Sequence, residues 1–440
     1  MSALTISLLV GLLAIILLVI RIHIGVAMFV AGAVGYISLA GWLPLINYLK
    51  TMAFARFSVY DLSVIPLFLL MGNLASQGGL ASRLFMATNA FIGHFRGGVA
   101  MSAVGACAGF GAICGSSLAT AATMGQVALP ELKKANYSPA LATGALAAGG
   151  TLGILIPPSV ILVIYAVLAE QNISVMFMAA MIPGLIALSG YILAILMYVR
   201  LVPNSGPAIQ QISWSQRITL LKQVWPILLI FLLVLGGIYG GIFTPTEAAA
   251  IGTLAVAILA ILTKELDFAK FQRAIFDTAS GTAMIFLILL GADVLNAFFA
   301  LSQLPSNMAQ WVLGSGFPPL VILFTIILIY IVLGCVMDSL SMILLTIPVF
   351  LPIILGLDFW GLNATDKSIW FGVLALMVVE IGLITPPVGM NLFIINSLAR
   401  DVPMGDTYRG IFPFLCSDLI RIILLVFFPG ITLWLVQWWT

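Results

Sequence analysis

Two apolar runs of this chain are broken in the same way. Gly153-Ile154-Leu155-Ile156-Pro157-Pro158-Ser159 interrupts one, and Gly382-Leu383-Ile384-Thr385-Pro386-Pro387-Val388 interrupts the other. A helix in lipid has to satisfy its own backbone, so irregular backbone at membrane depth survives only where it is buried in protein or lines a cavity. Upstream of each break lies another matching segment, Gly115-Ser116-Ser117-Leu118-Ala119-Thr120 ending at Pro130 and Met337-Asp338-Ser339-Leu340-Ser341-Met342 ending at Pro352. Paired Gly/Pro interruptions at corresponding places in two halves point to the central binding site of a secondary transporter.

That argument requires a bilayer, and the composition supplies one. The 440 residues are 62% hydrophobic and 7% charged, with a mean hydropathy of +1.22, against about 25% charged residues in a soluble domain. The length allows about ten to twelve spans of about 20 residues each, with little left for a soluble domain. Leu4 to Ile20 lacks a basic leader and a cleavage site and reads as a first span rather than a signal peptide.

The duplication extends beyond the breaks. Ile65 to Gly72 resembles Ile285 to Gly291, and the offset between partners grows stepwise through Pro130/Pro352 to Pro157/Pro386, as small loop insertions would make it. The expected fold is an all-α polytopic membrane protein of two inverted repeats, residues 1–222 and 223–440. Spans are expected near 3–20, 24–44, 62–78, 138–169 and 174–199, then near 224–242, 246–263, 280–299, 368–399 and 420–438. The broken helices are 138–169 and 368–399. Arg21 directly after the first span places that end inside. Gly97 to Leu132 is bounded by Arg96 and by Lys133-Lys134, so both ends belong inside and the segment reads as a re-entrant hairpin (97–132). Its counterpart, 318–355, has neutral flanks and enters from outside. An odd number of crossings per half makes the repeats inverted, and of the 17 Lys and Arg only Lys50, Arg56 and Lys367 fall outside, with Arg421 near the inner surface. Trp434, Trp438 and Trp439 then form an outer aromatic anchor. Leu80 to Phe95 and Trp214 to Trp225 mix apolar and basic residues at helical spacing, as in-plane interfacial helices or ordinary connectors would.

Each hairpin tip and each break frees backbone carbonyls and N–H groups. Carbonyls with Ser/Thr hydroxyls make an oxygen cage for a hard cation such as Na⁺, while N–H groups and helix N-termini favour an anion. The cation candidates are Gly115, Ser116, Ser117, Thr120, Gly150, Thr151 and Pro157 in the first half, and Asp338, Ser339, Thr385, Pro386 and Gly389 in the second. Ser117, Ser159, Ser341 and Asn391 are candidates for substrate. Proline releases a carbonyl from the helical ladder, and glycine permits close approach. Each small residue taken alone could equally serve helix packing.

Asp338 breaks the symmetry, standing where the first half has Ser116. A carboxylate at membrane depth is functional by default; it could ligate a cation, carry a proton, or simply cap a hairpin helix. Asp293, Glu247 and Glu380 also fall in or near spans, and Glu247 after Thr244-Pro245-Thr246 reads as a helix cap. No Lys or Arg is expected at the depth of the tips. The four cysteines lack metal-ligand spacing and read as small buried hydrophobes. The two histidines, His23 and His94, have no nucleophile to serve, and there is no phosphate-binding glycine loop or ATPase domain. An enzyme is therefore not expected, and scattered basic residues give no nucleic-acid surface.

Three stretches carry a family resemblance: Gly236-Gly237-Ile238-Tyr239-Gly240-Gly241-Ile242-Phe243-Thr244-Pro245-Thr246-Glu247, Gly150 to Ser159, and Gly382 to Pro387. Together they resemble the large membrane subunit (DctM-type) of tripartite ATP-independent periplasmic (TRAP) transporters, and the likeness runs over essentially the whole chain. The resemblance implies an elevator-type transporter in the bacterial inner membrane. It also implies a separate small four-helix membrane subunit and a periplasmic substrate-binding protein. Organic acids, among them C4-dicarboxylates and sialic acids, would enter by Na⁺ symport. The first tip, Cys-Gly-Ser-Ser-Leu-Ala-Thr, departs from the Ser-Gly-Ser-Ala-x-Ala-Asp form of other members and leaves Thr120 near the acidic position. The alternative is a stand-alone carboxylate or ion carrier coupled to Na⁺ or, through Asp338, to H⁺, working without a binding protein.

Overall fold

A computed structural model of the protein describes residues 3–20, 22–335 and 337–439. Arg21, which orients the expected topology, lies outside the described residues. Those residues form helices and connecting turns, with no strand among them. The first half runs α1 (Ala3–Val19), α2 (Ile24–Ala40), α3 (Trp42–Phe57), α4 (Val64–Gln77) and α5 (Leu80–Ile92). A hairpin of α6 (Gly98–Cys114) and α7 (Ser117–Lys134) follows, then α8 (Pro139–Leu155) and α9 (Val160–Leu168) around the first break, and α10 (Ile173–Leu201). The second half runs α11 (Trp214–Tyr239), α12 (Pro245–Leu262), α13 (Phe268–Ser302) and α14 (Leu304–Gly314). Its hairpin is α15 (Pro319–Gly334) with α16 (Ser339–Gly356), and its break separates α17 (Ala364–Ile384) from α18 (Met390–Leu398). The chain continues through α19 (Met404–Phe427) and α20 (Gly430–Trp439).

Among the described residues seven helices are long and apolar enough to cross a membrane, or nine if each of two bent pairs is one span. The pairs bend by 61° between α3 and the Tyr60–Gln77 stretch, and by 45° between α8 and α9. Two expectations are corrected. Trp214 to Trp225 is not a separate in-plane helix but the first turns of α11, because a Ser213/Gln216 capping box starts the helix at Trp214 and nothing breaks it before Tyr239. The last span is not one helix over 420–438. Pro429 lacks an N–H and disfavours helical backbone at Phe428, so the chain breaks there and α19 begins much earlier.

Helices apolar on all sides belong in the interior, and α8 and α17 do lie there, buried along nearly their whole length. Close helix contacts rest on small residues, as expected where lipid supplies no hydrophobic drive. On α2, a Cβ at Gly32 would sit 2.6 Å from the Leu295 nitrogen of α13; in return, one at Gly291 would sit 2.1 Å from the Gly25 carbonyl oxygen. Between hairpin and broken helix, a Cβ at Gly111 would lie 2.3 Å from the Gly153 Cα. The second half repeats that contact, with a Cβ at Gly334 lying 2.7 Å from the Gly382 Cα.

Candidate functional site

The hairpin turns and the breaks meet. Gly115, at φ 63°, ends α6, and a Cβ there would stand 3.2 Å from the Pro158 carbonyl oxygen. In the second half the order is exchanged: the left-handed glycine is Gly389, at φ 60°, after the break. Its N–H donates to the Cys335 carbonyl at 3.4 Å, and the Leu383 and Thr385 carbonyl oxygens converge beside it. Both Pro-Pro bonds, Pro157-Pro158 and Pro386-Pro387, are cis.

Caps start the second arms. Ser116 Oγ accepts from the Ala119 N–H at 3.4 Å, and Ser159 Oγ accepts from Leu162 N–H at 3.4 Å at the start of α9. Asp338 caps α16: its Oδ2 accepts from the Ser341 N–H at 3.1 Å, and its Oδ1 takes the Ser341 hydroxyl. Ser341 is therefore committed to Asp338, and capping is one of the two things Asp338 does. The other is to line a cavity of about 170 Å³ shared with Gly115, Ser116, Ser117 and Ser339, walled by Leu69 of α4 and Met284 of α13. Both tips thus face one space, bordered by helices that belong to neither hairpin.

The remaining candidates separate from that cavity. Thr120 is fully buried, and its Oγ1 has no partner; a Cβ at Gly153 would press within 2.4 Å of it and within 2.8 Å of the Ser116 carbonyl oxygen. Asn391 crosses from the second half to α8, where its Nδ2 donates to the Ala147 carbonyl at 3.3 Å beside Gly150. Its Oδ1 is buried without a donor. Thr120 Oγ1 and Asn391 Oδ1 are thus two buried oxygens without a donor, atoms of the kind a hard cation takes. Thr385 Oγ1 donates back to the Ile381 carbonyl at 2.6 Å, leaving its own carbonyl as the available ligand. Thr151 Oγ1 is turned away, bonded to the Ala148 carbonyl at 2.7 Å and to Tyr191 Oη at 2.9 Å.

That turn opens onto polar residues whose pairing the sequence does not show. Tyr191 Oη donates to Asp418 Oδ2 at 2.9 Å, and Arg421 Nη2 lies 2.9 Å from Asp418 Oδ1. Asp418 and Arg421 are 1% and 3% exposed, so this ion pair lies buried in the protein. Arg421 lies on the buried side of α19, one turn from Asp418. The contact is an ion pair without aligned hydrogen bonds, since Arg421 Nε, Nη1 and Nη2 all lack acceptors. Glu380 is 1% exposed; its Oε1 accepts the Ser339 hydroxyl at 2.9 Å while Oε2 has no donor. Ser117 approaches the same carboxyl from the first tip. One carboxylate therefore stands between a serine from each tip. The signal was present: Glu380 is the lone charge in the apolar run of α17. Asp293, by contrast, pairs with Arg56, whose Nε lies 2.6 Å from its Oδ2, and Glu247 completes the expected capping box with Thr244.

A family model described as "Tripartite ATP-independent periplasmic transporter, DctM component" matches residues 10–431. The chain belongs to that family. As a DctM component it is a subunit of a membrane transporter, not an enzyme. It is 35% identical to the C4-dicarboxylate TRAP transporter large permease protein DctM of Pseudomonas aeruginosa, over 86% of this chain and 87% of that one. It is 31% identical to the sialic acid TRAP transporter large permease protein SiaM of Vibrio cholerae, over 88% and 89% respectively. In fold it resembles the YdaH transporter of Alcanivorax borkumensis, with a TM-score of 0.62 at 17% identity over 88% of this chain and 89% of that one.

Proposed function

We propose that this DctM component imports an organic acid by Na⁺ symport across the bacterial inner membrane. A small four-helix subunit would stand beside it, and a periplasmic binding protein would deliver the substrate. The observation that carries this reading is the cavity of about 170 Å³ between the two tips. Ser116 and Ser117 at the start of α7 offer unpaired first-turn N–H groups to a carboxylate, and Ser339, whose hydroxyl is given to Glu380, lines the opposite side. Thr120 Oγ1, Asn391 Oδ1 and the Leu383, Thr385 and Ser116 carbonyls would hold Na⁺, whose charge offsets that of the anion and of Asp338 and Glu380.

The halves, 1–222 and 223–440, act as inverted repeats in this reading, which the matching contacts Gly111–Gly153 and Gly334–Gly382 support. Both hairpins and both broken helices move together as an elevator against α2, α4 and α13. The site wall formed by Leu69 and Met284 is then a sliding surface, and its apolar character suits that role. Uptake into proteoliposomes holding this chain and its small subunit tests the reading. Uptake of an organic acid should require both an inward Na⁺ gradient and the binding protein. Uptake unchanged when choline replaces Na⁺ would remove the symport; uptake without the binding protein would make the chain a stand-alone carrier.

A further inference from the structure

A second and larger cavity shares no lining residue with the one between the tips. It has a volume of about 1000 Å³ and is an open groove between the base of the first hairpin and the end of α10. Its walls are apolar, including Ile92, Met101, Ile192 and Leu196, and its charged residues are Arg96 and Arg200, with no acid among the lining residues. Both arginines are exposed, and neither makes an ion pair or side-chain hydrogen bond among the described residues.

The two guanidinium groups arise from one packed point. Arg96 precedes Gly97 and Arg200 follows Val199, and a Cβ on Gly97 would sit 3.1 Å from the Val199 Cγ2. The Gly97 N–H donates to the Gly206 carbonyl at 2.9 Å, and the Ser138 N–H donates to the Ser205 carbonyl at 2.8 Å. The floor is thus fixed by backbone bonds from the hairpin, α8 and the loop after α10, and the arginines stand on either side of it. Arg200 in the last turn of α10 also complements the helix dipole. That accounts for one charge, but not for two unpaired charges over a long apolar trough.

We propose that this groove binds an anionic phospholipid, with its headgroup phosphate between Arg96 and Arg200 and acyl chains along Ile92, Ile192 and Leu196. Charge complementarity selects the occupant: arginine forks match phosphate, and basic pockets between membrane helices on the positive side hold anionic headgroups. The site joins the first hairpin to the connection leading into α11, so the lipid would brace the crossing between the halves.

The test uses the full chain purified in detergent, with Tm read as lipid is added. Phosphatidylglycerol should raise Tm by several degrees, whereas phosphatidylcholine and inorganic phosphate should not. The double variant R96Q/R200Q should fold normally, because both side chains are exposed, and bind phosphatidylglycerol about 30-fold more weakly; R96K/R200K should keep most of the response. Native mass spectrometry should find the anionic lipid retained by the wild type and lost from the glutamine variant. An equal Tm rise in the wild type and the glutamine variant would overturn the proposal. So would an equal rise with inorganic phosphate, or capture of the small subunit by a cysteine placed at Leu196.

Discussion

The two hairpin tips share one plan and differ in charge. In each, a residue at the start of the second arm caps the helix, a buried serine follows, and backbone from a Pro-Pro break packs against the turn. The first tip does this with neutral groups: Ser116 is the cap, and the position of α8 that corresponds to Glu380 is Thr151. The second uses carboxylates at both places, Asp338 as the cap and Glu380 behind Ser339. Thr151 reaches outward to Tyr191 and the Asp418–Arg421 pair, whereas Glu380 reaches inward to the tip. The two tips share a framework, and the negative charge lies on one side of it. An anion in the shared cavity would then lie toward the neutral tip, away from Asp338 and Glu380.

The largest effect should come from the pair at the end of the Thr151 line. Replacing Arg421 by Leu leaves Asp418 buried without its cation, a loss of about 3–5 kcal/mol. Combining it with Asp418→Asn should recover much of the lost Tm. If the double variant is as unstable as the single, the two residues do not act as a pair.

Next comes Glu380. Glu380→Gln keeps an acceptor for Ser339 and should retain folding and most uptake. Glu380→Leu strands the Ser339 hydroxyl, destabilises by about 1–3 kcal/mol, and should reduce uptake at least about tenfold, since about 1.4 kcal/mol at the site is already a factor of ten. Thr151→Val is its counterpart and should cost only about 1 kcal/mol with uptake retained. Equal losses of uptake at the two positions would erase the proposed asymmetry.

Gly153→Ala and Gly382→Ala probe the shared framework. Their Cβ atoms would come within 2.4 Å of Thr120 Oγ1 and of the Gly334 Cα respectively, so each should cost about 1–3 kcal/mol by overpacking. Thermal melts that separate the two widely would show that the contacts are not equivalent. At the caps, Asp338→Asn preserves the helix start and should raise the Na⁺ concentration for half-maximal uptake several-fold, while Ser116→Ala should cost about 1 kcal/mol of stability. Normal Na⁺ dependence in Asp338→Asn would confine Asp338 to capping.

The smallest effect belongs to Lys133 and Asp401, an exposed pair 2.6 Å apart that joins the base of α7 to the turn after α18. The Lys133 ammonium holds the Asp401 carboxyl below its ordinary range. A lowered folded value gives stability that is complete above the unfolded value and fades as pH falls through the folded one. Asp401→Asn should therefore leave Tm almost unchanged at pH 7, and any difference from the wild type should vanish in acid. Solvent screening keeps it small.

Much of this was legible in the chain. Apolar runs place helices, because lipid forces each segment to satisfy its own backbone, and Pro-Pro with flanking glycine marks where that rule is suspended. That Ser116, Ser117, Asp338 and Ser339 stand at the hairpin turns was legible for the same reason, since they lie where the apolar runs are interrupted. Periodicity could not show where a helix that tolerates both a polar and an apolar face would start, so α11 and α19 were placed too late. Nor could it show which hydroxyls are already taken. Thr151 and Ser341 have the composition of ligands, but Tyr191 and Asp338 occupy them, and both contacts depend on how helices pack. The sequence alone determined a membrane bundle broken at oxygen-rich turns, because backbone satisfaction is a local demand. Only the tertiary structure decided that both tips open on one cavity, that Asn391 crosses to α8, and that Glu380 stands between two serines. Those are contacts between segments far apart in the chain, and their partners are chosen by packing.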